Sequence, residues 1–305
     1  MHAAAWLAGC AVVVACHAPT PPDRSAQGSP PQRIVVIAPA AAEMLDALGA
    51  ADRIVGVGDF VDRPEFLAGL PRLGAYDAPN LERILELRAD LVVTSDAVAS
   101  APAARRLQAL GVEVLALETD TFEGTLRALE TLGARLGLAD RAAARAVSVR
   151  AAVEDVGRRA AGLARRRVLC VVGRDPLFVA GPGSHLDVLI AAAGGINVAR
   201  DVGAPYARMS VETALERMPE VIVEASDHRP AAFRGRAPGL WAAWEFLPAV
   251  HEGRVYWIDP DRVVVPGMRM GETAELLARM IHPEAFGEAG LEELGAPGTA
   301  GAEQP

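Results

Sequence analysis

Two stretches of the sequence, residues 80–93 and 210–223, can be laid over one another. The first reads NLERILELRADLVV and the second SVETALERMPEVIV. Each begins with a helix-capping residue, Asn80 or Ser210, whose side-chain oxygen can accept a hydrogen bond from an otherwise unpaired amide of the first turn. Each then carries a carboxylate, Glu82 or Glu212, at the positive end of the helix dipole. Apolar residues follow at helical spacing, and each unit closes on an acidic residue and a short run suited to a buried strand. A helix–strand unit that recurs in this way implies two similarly built halves.

Other elements repeat in the same order. Arg33-Ile-Val-Val-Ile opens the first half as a buried strand and Arg167-Val-Leu-Cys-Val opens the second. Each precedes a loop and a helix, over residues 41–49 and 185–195, and a third strand is expected at 112–117 and at 254–259. Strands alternating with helices imply parallel sheets with helical crossovers. The expected fold class is therefore α/β, with two similar lobes of parallel-type sheets flanked by helices, over residues 33–137 and 166–285. A length of 305 residues suits two domains of about 130 residues each, and a hydrophobic content of 51% supplies two cores. Residues 138–165 join them. Within that span, residues 139–163 are rich in Ala and Arg and contain no Pro, so one long rigid helix of about 38 Å is expected. A stiff connector limits the lobes to small relative motions.

The ends of the chain read differently. Residues 3–15, AAAWLAGCAVVVA, are too short to span a bilayer comfortably and suit the core of a signal peptide over 1–16. Small residues followed by Cys16 resemble a bacterial lipobox, which makes Cys16 the expected lipidation site; Leu7-Ala8-Gly9-Cys10 fits the same pattern. Residues 17–32, HAPTPPDRSAQGSPPQ, read as a flexible tether, and 286–305 as a tail. Together these place the protein in the periplasm or at the cell surface, anchored as a lipoprotein. The third cysteine, Cys170, lies in an apolar run and has no disulfide partner in the body of the chain. A net charge of −9 disfavours nucleic acid as a partner.

Several segments together resemble a known family. They are residues 33–49 (RIVVIAPAAAEMLDALG), 55–64 (VGVGDFVDRP), 71–82 (PRLGAYDAPNLE), 178–187 (FVAGPGSHLD), 193–198 (AGGINV) and 254–259 (RVYWID). The chain is similar over about residues 33–285 to the helical-backbone (class III) substrate-binding proteins of bacterial ABC importers, and most of all to their vitamin B12 (corrinoid) group. The resemblance implies a monomeric, non-catalytic protein with a ligand cleft between its lobes. It implies capture of a cobalt corrinoid for delivery to an ABC permease dimer in the inner membrane. Haem and ferric-siderophore binders share the scaffold and stand as alternatives, as does a surface lipoprotein that no longer transports. In the family, the glutamates matching Glu82 and Glu212 dock onto arginines of the permease, one per subunit.

Ligand contacts are expected from loops at the C-terminal ends of the strands. The candidates are Pro39, Phe60, Tyr76 and Ser95 in the first lobe, and Phe178, His185, Tyr206, Asp261 and Arg262 in the second. Tyr76 and Tyr206 each precede a repeat helix, and a facing pair of tyrosines can sandwich a flat macrocycle. The corrinoid group often has Trp where this chain has Tyr76, Ser95 and Tyr206. Arg262 and Arg269 suit the acidic groups of haem or a siderophore. None of the six histidines has metal-ligand spacing, so no resident metal or cofactor is expected. The chain also lacks a GxSxG elbow and any nucleophile–base pattern, which argues against an enzyme. Gly181-Pro-Gly-Ser184 fits no phosphate loop and reads as a tight turn with Ser184 capping the next helix. Trp241 and Trp244 are expected to cover the second core.

Overall fold

The hydrophobic pattern resolves into a repeated strand–helix order. In the computed structural model, residues 29–75, 78–96, 102–226 and 239–290 are described. Cys10, Cys16, Tyr76, the tether up to residue 28 and the tail from 291 lie outside the described residues. In chain order the elements of the first half are β1 (Ile34–Val36), α1 (Pro39–Ala47), β2 (Ile54–Val57), α2 (Leu81–Glu86), β3 (Leu91–Ser95), α3 (Pro102–Ala109), β4 (Glu113–Leu117) and α4 (Phe122–Arg135). The four strands form one parallel sheet in the order β2-β1-β3-β4. Strands β1 and β3 are apolar almost throughout, as strands covered on both faces must be.

The connector is α5, Ala139–Ala160, a helix of 22 residues that stops three positions short of the expected run and measures about 33 Å. Ala142, Ala146, Val149, Val153, Val156 and Ala160 recur every three or four positions and form its buried stripe. Burying each valine contributes about 1.5 kcal/mol or more. A charge placed at Val153 would break the stripe. The helix packs against α4 and against the last long helix, α10 below.

The second half contains β5 (Arg166–Gly173), β6 (Phe178–Ala180), α6 (His185–Ala192), β7 (Gly195–Asn197), β8 (Tyr206–Arg208), α7 (Val211–Glu216) and β9 (Val221–Glu224). It closes with α8 (Pro248–His251), β10 (Val255–Trp257), α9 (Pro260–Val263), α10 (Met270–Ile281) and α11 (Pro283–Phe286). Its sheet corrects the expectation of purely parallel pairing. The order is β10-β9-β5-β6-β8, with β6 antiparallel to β5 and β8 antiparallel to β6. The eight-residue β5 pairs in parallel with β7 through its first half, then with β6 on the same side through its second half. The main core also differs from two separate cores. It runs without interruption from Ile34 and Leu45 through Val149 and Val153 of α5 to Leu277 and Ile281.

The repeat is visible in detail. Asn80 caps α2 by accepting from the Arg83 amide, and Ser210 caps α7 by accepting from that of Thr213. Arg88 and Met218, just beyond these helices, both adopt the left-handed conformation, at φ 51° and 48°. Asp90 then accepts from the Arg33 amide and Glu220 from the Arg167 amide, so each repeat helix is tied to the opening strand of its own half.

Candidate functional site

Strand ends and the loops after them bring part of the expected site together. Pro39 starts α1 after β1, Phe60 follows β2, and Asp261 and Arg262 lie on α9 after β10. Pro39, Phe60 and Asp261 line one contact between the lobes, along with Glu43, Asp62, Arg63 and Val265. The space left there is about 20 Å³, room for about one water. Beside it lies an open groove of about 580 Å³ lined by Glu43, Asp46, Arg63, Arg145, Met268 and Arg269 among others.

Phe60 is 64% exposed, unusual for a phenylalanine on so well braced a loop. Arg72 donates to the carbonyls of Gly58 and Val61 and pairs with Asp62 at 2.9 Å. The Gly74 amide donates to Asp59 at 3.1 Å. These bonds hold the ring out toward the second lobe.

Among the described residues, two sets of ion pairs cross between the lobes. Arg63 lies 3.6 Å from Asp259 and 3.8 Å from Asp261. Glu43 of α1 accepts a hydrogen bond from Arg269, and its carboxylate sits against Gly267, where a side-chain methyl would overlap Oε2. Burial and the neighbouring Asp259 raise the Asp261 carboxyl above its usual range, and Arg63 partly offsets this. Arg63, Glu43 and Asp259 complete the cluster but were not among the expected contacts, and Arg269, expected only as a partner for the acids of haem or a siderophore, joins them by pairing with Glu43. Their signal in the sequence is position alone: Arg63 follows Phe60 on the loop after β2, and Asp259 caps α9 by accepting from the Asp261 amide.

A second group lies deeper in the C-terminal lobe. His185 is 1% exposed, so it is a buried residue and not a loop residue facing the cleft. Its Nε2 lies 2.8 Å from the Val263 carbonyl and its Nδ1 2.9 Å from the Tyr206 hydroxyl. A carbonyl only accepts, so Nε2 carries the proton and the phenol donates to Nδ1. Burial lowers the His185 pKa to about 4 and raises that of Tyr206. The His185 amide donates to the Asp120 carbonyl at 3.1 Å, tying the start of α6 to the connection between β4 and α4. Phe178 is half-buried, with the Arg208 guanidinium 5.6 Å from its ring centre. Ser184 caps α6 by accepting from the Asp187 amide. Ser95 ends β3 half-buried and belongs to neither group.

At the C-terminal ends of β5 and β9, Glu224 is buried and holds Arg174, Ser226 and the Trp241 indole. Trp241 packs against Trp244 with ring centres 5.6 Å apart and planes tilted by 55°, over the second core. Cys170, also buried, has its thiol pushed up to about 12 by burial, which makes it unreactive. Glu82 and Glu212 are exposed on the first turns of α2 and α7. The Glu212 carboxyl is held below its usual range by its own amide and by Ser210. No group of three or more His, Cys, Asp or Glu suited to a metal ion occurs among the described residues.

Residues 34–262 match the family model described as periplasmic binding protein. The chain is 27% identical to the uncharacterized ABC transporter substrate-binding lipoprotein YvrC of Bacillus subtilis, over 85% of this chain and 82% of that protein. Among solved structures, it resembles the periplasmic vitamin B12 binding protein BtuF of Vibrio cholerae with a TM-score of 0.70 at 25% identity, covering 83% of this chain and 98% of that one. It resembles equally the periplasmic heme-binding protein RhuT from Roseiflexus sp. RS-1, with a TM-score of 0.72 at 26% identity, covering 85% and 100%.

Proposed function

Because the chain belongs to the periplasmic binding protein family, whose members serve ABC importers, we propose that it captures a cobalt corrinoid outside the cytoplasm and delivers it to a permease. The observation that carries this reading is the bond between Tyr206 and His185. Haem iron needs an axial donor such as His or Tyr. Among the described residues of the candidate site, both ring nitrogens of His185 are engaged, and the Tyr206 phenol is engaged with it. A cobalamin fills both axial positions of its metal with its own groups and asks the protein only for shape and hydrogen bonds. Pairing of Arg269 with Glu43 likewise weighs against a site for propionates or siderophore acids.

In this reading Pro39, Phe60, Tyr76, Ser95, Phe178, Tyr206, Asp261 and Arg262 surround the ligand, and His185 supports Tyr206 from behind. Glu82 and Glu212, one per lobe on matched rigid helices, meet cationic groups on the two permease subunits. Cys16 carries the lipid, and residues 17–32 let the body reach its partners.

The test is titration of the purified full chain with cyanocobalamin, haemin and a ferric siderophore, followed by tryptophan fluorescence and calorimetry. Saturable one-to-one binding of cyanocobalamin alone is the expected result. Haemin or a siderophore binding in its place overturns the ligand and keeps the importer role. Silence against all three favours a scaffold that has left transport.

A further inference from the structure

The two repeat helices are alike on their outer faces and unlike where they pack. Aligned from the cap, α2 and α7 carry the same residue at Glu82 and Glu212, at Leu85 and Leu215, and at Glu86 and Glu216. The buried position between them differs, Ile84 against Ala214. The four glutamates are exposed, Leu85 is 38% exposed, and Leu215 is half-buried. Steps of three and four residues put each trio on one face of its helix. A core demands a residue at a buried position. Three matched residues on the outer faces of two otherwise diverged helices call for a partner that reads both lobes.

Helix chemistry accounts for the first carboxylate of each trio and opposes the second. Glu82 and Glu212 sit at the positive end of the dipole, whereas Glu86 and Glu216 are the last residues of α2 and α7, at the negative end. Each also stands four residues from a like charge, which destabilises a helix. Neither has an ion-pair partner among the described residues, and Arg217, next to Glu216, is engaged by Asp201 at 2.6 Å. The left-handed residues Arg88 and Met218, two positions on, give the two last turns the same exit and hold both carboxylates at the same point of the repeat. A locally unfavourable residue placed twice at one point marks a functional surface.

We propose that Glu86 with Leu85, and Glu216 with Leu215, form a second row of permease contacts beside Glu82 and Glu212, so that each permease subunit meets one repeat helix with two cationic groups around an apolar spot. The occupant is the permease dimer, because two copies of one cationic surface fit two copies of one acidic face. Four carboxylates on two rigid helices steer the approach and fix the register more strongly than two. This inference rests on the importer reading and goes beyond its two glutamates, and its test separates the two.

ATP hydrolysis by the cognate permease in lipid vesicles, titrated with the full chain and no added ligand, reads docking. Glu86→Gln and Glu216→Gln are each expected to raise the concentration for half-maximal stimulation about two- to threefold at low salt, and the double variant about four- to tenfold. The double variant should also depend less on sodium chloride. Glu130→Gln, which alters an exposed glutamate on α4, is the control and is expected to change nothing. Urea denaturation is expected to show the double variant as stable as the unaltered chain or more so, because an unfavourable charge has left each helix end. Normal stimulation by the double variant overturns the inference. So does a loss of its stability, which makes the two carboxylates structural, and so does an equal weakening in the control, which makes net charge the cause. If the unaltered chain fails to stimulate the permease, the importer reading falls and this inference with it. If Glu82→Ala weakens stimulation and the double variant does not, this inference alone falls.

Discussion

The Tyr206 hydroxyl donates to Nδ1 of a histidine, His185, whose other nitrogen is already committed to the Val263 carbonyl. Three segments of the second lobe thus meet at one imidazole ring. The ring is neutral because burial lowers its pKa from 6.5 to about 4. As pH falls, the unfolded chain takes up this proton before the folded one does. The contribution to stability is complete above about pH 6.5 and shrinks as pH falls through this window. By pH 4 about 3 kcal/mol is lost. Urea denaturation at pH 7 and pH 5 is expected to show part of this fall. His185→Gln is expected to flatten it, and equal slopes in the two proteins would contradict the assignment.

Tyr206→Phe tests the same pair from the other side. It leaves the buried Nδ1 acceptor without a partner, which costs about 1–3 kcal/mol. Ligand affinity is expected to fall with it, since Tyr206 is both contact and anchor in the proposed site. Chemical denaturation and cyanocobalamin titration of the one variant measure the two effects separately.

The parts of the fold legible in the sequence are those set by local chemistry. Asn80 and Ser210 cap their helices through amides three residues away, and the stripe from Ala142 to Ala160 follows from spacing alone. Pairing between distant segments was not legible. Strands β6 and β8 have three residues each, too few to show alternation, and the intervening chain contains α6 and β7. His185 reads as a loop histidine because its partners lie 21 and 78 positions away. Glu43 and Arg269 stand 226 positions apart, so nothing in either local sequence announces the pair. That Phe60 and Asp261 lie together was legible, because each follows a strand end.

Glu82 and Glu212 offer a test of delivery independent of capture. Glu82→Ala and Glu212→Ala are each expected to leave cyanocobalamin affinity unaltered, because both side chains are exposed on the repeat helices and neither is among the proposed ligand contacts. Each is expected to weaken stimulation of a reconstituted permease by up to about 1 kcal/mol in apparent affinity, or about fivefold. The double variant should weaken it further, and added salt should mimic the loss. A variant that stimulates normally would leave these glutamates with only a helix-dipole role.

Gly267→Ala probes how closely the lobes approach. A methyl at this position overlaps Oε2 of Glu43, so the carboxylate must move or the turn before α10 must shift. Such crowding costs about 1–3 kcal/mol. Glu43→Ala alone also destabilises, because it leaves Arg269 without its acid. The two changes act on one contact, so combining them should cost less than their sum. A double-mutant cycle by urea denaturation is expected to give a coupling of about 1 kcal/mol or more. Additive losses would mean that the Glu43 carboxylate does not rest on Gly267 in solution, and the lobes would then stand further apart than the pair requires.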